Sequence, residues 1–217
     1  MMLSVVFMYA AFTYDLVRSD FVKLLSLYAA LFFLSFKVIQ LQKTNWKLLL
    51  GFGIVFRLVF LFAIPNLSQD FYRFIWDGRL ITGGINPYLS TPQEWMQSGN
   101  FGVVAQARQL VEGMQSLNAS HFTNYPPVSQ WVYALAGVLY PKSILGSVIV
   151  MRVILIFADV VTFIFIRKLL QQLKLPKHQA LWYFLNPLVI IELTGNLHFE
   201  GLMVMCLLIS IYLLLKK

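Results

Sequence analysis

Ser68-Gln-Asp-Phe-Tyr-Arg-Phe-Ile-Trp-Asp-Gly-Arg79 follows directly on Leu48 to Pro65, an apolar run long enough to cross a bilayer. Two carboxylates and two guanidinium groups therefore stand where the chain leaves the membrane. Ionisable groups at membrane depth are expensive and mark function by default. This junction decides the fold: apolar helices in lipid, followed by a charged, aromatic-rich outer segment.

Outward from it, the apolar runs repeat. Phe21 to Leu41 is a clear span, and Leu48 to Pro65 is interrupted only by Arg57. Ser143 to Ile166 contains Arg152 and Asp159; Ala180 to Thr194 is shorter; Leu202 to Leu215 ends in Lys216 and Lys217. Met1 to Tyr14 is apolar but short. Together these make six expected spans. The connections Lys43 to Lys47 and Arg167 to Lys177 are basic and belong on the cytoplasmic side. Residues 66–142, Asp15 to Asp20 and Gly195 to Gly201 then lie on the opposite side. Val128 to Tyr140 is too short to span comfortably; it follows Pro126-Pro127 and carries Trp131, Tyr133 and Tyr140, as an interfacial helix does. The expected organisation is transmembrane helices over 1–65, an extracytoplasmic loop of interfacial helices over 66–142, and transmembrane helices over 143–217. The fold class is all-α, a polytopic helical bundle. No sustained apolar–polar alternation is present, which argues against a barrel.

Composition agrees. The chain of 217 residues is 59% hydrophobic and 12% charged, with mean hydropathy +0.72. A soluble domain sits nearer half apolar and a quarter charged. The net charge of +8 does not make a nucleic-acid surface, because the cations are scattered at helix ends. Cys206 is the one cysteine, so no internal disulfide is expected. The first basic residue is Arg18, so no cationic leader precedes the first apolar stretch and a cleaved signal peptide is not expected.

Read as a helix capped by Ser68, the segment from Asp70 places Asp70, Arg73 and Asp77 on one face. Arg73 is then within reach of both acids and holds them ionised and oriented. Such a carboxylate can take a proton from a sugar hydroxyl, and arginine can grip a phosphate with two N–H groups. The same spacing also describes a solvated interfacial helix laced by salt bridges. Gly83-Gly-Ile-Asn-Pro-Tyr88 is turn-forming. Asn124-Tyr-Pro-Pro127 is extended, with Tyr125 placed to pack on a sugar ring, a prenyl chain or the interface. Arg152 and Asp159 are too far apart along their helix to touch, so each is expected to meet a partner elsewhere; Arg57 is read likewise. His198 and Glu200 fall on the same outer side as Asp70 and could meet a phosphate or acceptor, while Glu192 lies deeper in the preceding span. Metal-ligand spacing is absent, which leaves at most a loosely held divalent cation between carboxylate and phosphate. Asn118-Ala-Ser120 fits the glycan-acceptor pattern, which is common by chance.

The charged segment, with Gly84-Ile-Asn-Pro-Tyr88 after it, resembles the first outer loop of bacterial membrane mannosyltransferase-like proteins of the GT-C class. Tyr125-Pro-Pro127, Asn186-Pro187 and Gly195-Asn-Leu-His-Phe-Glu200 fit the same pattern. The resemblance runs from about residue 60 to the end. It implies transfer of a hexose, mannose above all, from a polyprenyl-phosphate donor to a glycan or lipid acceptor hydroxyl. It implies a multi-pass protein of the bacterial inner membrane with an extracytoplasmic active site. Asp70 takes the position of the catalytic acid, with Arg73 and Asp77 supporting it. Arg79, Tyr125, His198 and Glu200 are the implied substrate-binding residues. Gln69 stands where many relatives have a second acid, and Glu200 replaces a more usual short polar or acidic residue. The length implies the front part of such an enzyme. Two other classes stay open at this point: a carrier for a lipid-linked sugar, which would work through Arg152, Asp159 and Glu192 near the midplane, and a non-catalytic membrane subunit.

Overall fold

A computed structural model describes residues 1–99 and 102–216; Asn100, Phe101 and Lys217 lie outside it. The described residues are helical or irregular, with no strand among them. The helices are α1 (Met2–Tyr14), α2 (Phe21–Gln42), α3 (Trp46–Leu58), α4 (Asp70–Thr82), α5 (Pro92–Gln97), α6 (Ala107–Ala119), α7 (Pro127–Leu139) and α8 (Ile144–Gln172). A 3-10 turn (Lys177–Ala180) leads into α9 (Leu181–Phe184) and α10 (Pro187–Val189); a π-helical turn (Ile190–Gly195) then precedes α11 (Glu200–Leu215). The chain forms two compact units, Met1–Leu67 with Arg152–Lys217, and Ser68–Met151.

α2, in the first unit, and α8, which belongs to it from Arg152 onward, have 22 and 29 residues and are long and apolar enough to cross a membrane. At 1.5 Å per residue both exceed the roughly 30 Å of a hydrocarbon core. The segments 187–195 and 200–215 meet at 115° and make a third span if they are one broken crossing. Large apolar side chains such as Phe7, Phe21, Phe157 and Leu214 are exposed, the reverse of a water-soluble surface. Val5, Tyr9, Phe12, Leu31, Leu49, Phe56, Phe163 and Phe184 form the inner core. α2 starts where the Asp20 carboxylate accepts from the Lys23 N–H at 3.0 Å, satisfying one of its free first-turn donors.

Two expected spans differ from what the fold holds. The helix within Leu48 to Pro65 stops at Leu58; beyond it the chain runs in turns whose Phe60, Leu61 and Ala63 carbonyls accept from Arg152, and Pro65 keeps Ile64 out of helix. Ala180 to Thr194 is not one helix. Pro187 interrupts it, with Asn186 extended and its side chain accepting from the Leu188 N–H at 2.9 Å. The π-helical turn follows, and Arg152 takes the Thr194 and Gly195 carbonyls at 2.9 and 2.8 Å.

The buried charges of this unit find partners on other elements, as their spacing demanded. Arg57 Nε donates to Asp159 at 2.9 Å and its Nη1 to the Gly53 and Phe184 carbonyls. The Tyr183 hydroxyl donates to the other Asp159 oxygen at 2.9 Å.

The second unit is built around α4, which packs on α6 and α7. Nearly every side of α4 from Phe71 to Leu80 is buried, which is the pattern of a central helix rather than a surface one. α7, 13 residues long, crosses it at a glycine contact. A Cβ on Gly78 would stand 2.1 Å from the Tyr133 carbonyl oxygen, and one on Gly137 would stand 3.0 Å from the Gly78 oxygen. The Phe74 and Tyr133 rings stack at 4.6 Å beside this crossing. Gly78→Ala must therefore push two backbones apart. We expect it to destabilise the protein by at least about 1–3 kcal/mol, read as a lower thermal midpoint in detergent; an unchanged midpoint would refute the close crossing.

Candidate active site

A pocket of about 580 Å³ opens in the second unit between the first turns of α4 and the end of α6 with the irregular chain after it. Asp70 and Arg73 form one wall; Leu117, Asn118, His121, Phe122, Thr123, Asn124 and Tyr125 form the other. Asp70 is the first residue of α4, where the helix dipole favours a carboxylate. Ser68 Oγ accepts from the Asp70 N–H at 3.3 Å, so Ser68 serves the helix start although the cap position itself falls at Gln69. Asn118 Nδ2 donates to Asp70 Oδ1 at 2.6 Å. Oδ2 makes no hydrogen bond among the described residues.

Arg73 does not bridge the two acids. Its Nε donates to Asp77 Oδ1 at 2.7 Å, and its Nη1 to the Asn118 and His121 carbonyls at 2.9 and 2.7 Å. Its Nη2 is buried with no partner among the described residues. Asp77 is fully buried; Gln130 donates to its second oxygen at 2.9 Å and also reaches the Thr123 hydroxyl at 3.1 Å. Burial pushes the Asp77 carboxyl above its ordinary range, and Arg73, Thr123 and Gln130 offset part of that rise. Asp77 thus sits behind Arg73 and lies outside the pocket wall.

Arg79 is turned away as well. It donates to the Ala105 carbonyl and, at 3.1 Å, to the Gln106 side chain. Burial pushes it down to about 10, which leaves it charged at neutral pH. Tyr125 lines the pocket and packs edge-on against Phe74 at 4.8 Å. His198 and Glu200 belong to the first unit. His198 Nδ1 lies 3.6 Å from Glu192 Oε2, and Glu200 opens α11 and is exposed. Among the described residues no three His, Cys, Asp or Glu side chains come together as a metal site. Spacing within α4 could not reveal Asn118, His121, Thr123 and Gln130, because the end of α6 and the connection after it deliver the first three and α7 the last.

Asn118 is the main orienting contact of Asp70. Asn118→Ala should lower any activity that depends on Asp70 about tenfold, the scale of one lost hydrogen bond to a charged group. Unchanged activity would show that Asp70 needs no such support.

A helical membrane protein with a carboxylate and an arginine lining one pocket is the class these features define. The chain belongs to the MptA_B family, described as alpha-(1->6)-mannopyranosyltransferase, N-terminal domain, which matches residues 9–217. Alpha-(1->6)-mannopyranosyltransferase A of Corynebacterium glutamicum is 25% identical over 163 residues, covering 72% of this chain and 30% of that protein. Alpha-(1->6)-mannopyranosyltransferase B of the same organism is 25% identical over 153 residues, covering 70% and 24%. The chain thus spans under a third of the length of these relatives. No solved structure matches it.

Proposed function

We propose that this chain carries the acid–base half of a GT-C type mannosyl transfer, from a polyprenyl-phosphate donor to an acceptor hydroxyl. The observation that carries the reading is the pairing, in one pocket, of Asp70 with a free carboxylate oxygen and Arg73 with a buried, unpartnered Nη2. An unsatisfied guanidinium N–H is costly in isolation and is matched by an anionic ligand, for which arginine is suited.

In this reading Asp70 Oδ2 takes the acceptor's hydroxyl proton. The acceptor oxygen attacks the anomeric carbon opposite the phosphate, the carbon–oxygen bond to phosphate breaks, and the polyprenyl phosphate leaves with the electron pair. The configuration inverts. Arg73 Nη2 faces the developing phosphate charge, while Asp77 and two backbone carbonyls fix the guanidinium. Rate comes from positioning and charge stabilisation. Tyr125 offers a ring for sugar or prenyl packing. Arg79 supports the fold of the pocket's unit.

The apolar helices and the basic connections support a multi-pass protein of the bacterial inner membrane with Asp70 on the outer side, and α7 as an interfacial helix. A carrier function is less well supported, because Arg152 and Asp159 are taken up by internal partners. The test is mannose transfer from labelled polyprenyl-phosphate mannose by the full chain in reconstituted vesicles. Saturable binding without transfer would refute the enzyme.

A further inference from the structure

One end of the first unit carries cations without acids. Lys43 and Lys47 flank the start of α3, Arg167 and Lys168 lie near the end of α8, and Lys174 and Lys177 follow it. No acid occurs in 21–67 or 160–191, and none of these cations forms an ion pair among the described residues. Aromatic rings hold two of them. The Arg167 guanidinium stands over Trp46, 3.5 Å from the ring centroid, with the Phe163 centroid at 5.7 Å. Lys168 stands over Phe165 and Tyr212 at 4.7 and 5.4 Å. Topology asks only for positive charge beside a span, which exposed lysines such as Lys43 and Lys47 supply. Arg167 is different. It is half-buried, its ring contacts use no N–H, and its guanidinium makes no hydrogen bond among the described residues. A guanidinium held on a ring is a fixed fork of donors. The partner that matches such a fork is a pair of oxygens on one anion, as a phosphate offers.

We propose that Trp46 and Arg167 form the seat of an anionic phospholipid, whose phosphate takes the Arg167 N–H donors while Lys43, Lys47 and Lys168 supply the surrounding positive field. The depth of the site selects a lipid over a free anion. α2 and α8, both long and apolar enough to cross a membrane, end here, and tryptophan favours the level of the headgroups. Trp182, exposed and packed on Phe36 at 5.7 Å, belongs to the same end. A bilayer lipid carries its phosphate at that level, and basic sites between helix ends there take anionic headgroups.

The test needs no sugar transfer. Brominated phosphatidylglycerol and brominated phosphatidylcholine are titrated onto the full chain in a non-ionic detergent and read by quenching of tryptophan fluorescence. The native chain should bind phosphatidylglycerol about tenfold more tightly, the scale of one hydrogen-bonded charge, and high salt should narrow that preference. Arg167→Gln should remove most of it. Arg167→Lys should restore only part, because a point ammonium lacks the fork. Arg18→Gln, at the other end of α2, should change nothing. Trp46→Leu removes the ring and no charge; it should lower the preference several-fold, and it serves as the second variant where Arg167→Gln loses its native thermal midpoint. Equal affinity of the native chain for the two lipids overturns the proposal. So does a preference that survives Arg167→Gln and Trp46→Leu, or that Arg167→Lys restores in full. Displacement of phosphatidylglycerol by millimolar inorganic phosphate would assign the site to a free anion and overturn the lipid.

Discussion

Asp70→Asn should reduce mannose transfer by about 10²–10⁴-fold, the range spanned by a general base, and leave the thermal midpoint near its native value. Asparagine keeps an oxygen to accept from Asn118 Nδ2, so the contact at 2.6 Å survives while the proton acceptor does not. The group is half-buried at a helix start and forms no ion pair among the described residues, so removing its charge exposes no buried countercharge. Radiolabelled transfer and melting of the same preparation check both parts. Normal turnover in the variant would remove Asp70 from the mechanism.

Arg152→Met should destabilise the membrane unit by at least about 4 kcal/mol. Arg152 is fully buried and donates to the carbonyls of Phe60, Leu61, Ala63, Thr194 and Gly195. Hydrogen bonds to a charged group contribute roughly 1.5–3 kcal/mol each, and a buried carbonyl left without a donor costs about 1–3 kcal/mol. Methionine fills the volume but donates nothing. Arg152→Lys should rescue little, because a point ammonium cannot fork across two chain segments. Thermal unfolding in detergent checks this, and a native midpoint in Arg152→Met would show that the carbonyls find other donors.

Much of the helix pattern was legible. Phe21 to Leu41 agrees with α2 to within a residue at its end, Val128 to Tyr140 falls on α7, and the seven-residue separation of Arg152 and Asp159 correctly sent each to a partner elsewhere. The two shortened or broken spans were not legible, since hydropathy sees composition and not which carbonyls a distant arginine will claim. Asp70 and Arg73 were found together because they share a helix face. Their actual partners were not, because Asn118 and the His121 carbonyl arrive from 48 positions along the chain.

The acid and the opposite wall of its pocket come from different kinds of chain. Asp70 and Arg73 ride on a helix enclosed by its neighbours, while Leu117 to Tyr125 form a mostly irregular strip that meets them across the opening. Support and selection are therefore divided along this strip. Asn118 and the His121 carbonyl hold Asp70 and Arg73 in place, so exchanging only Phe122 and Asn124 between relatives should change which ligand the proposed site admits while the proposed reacting groups stay in register.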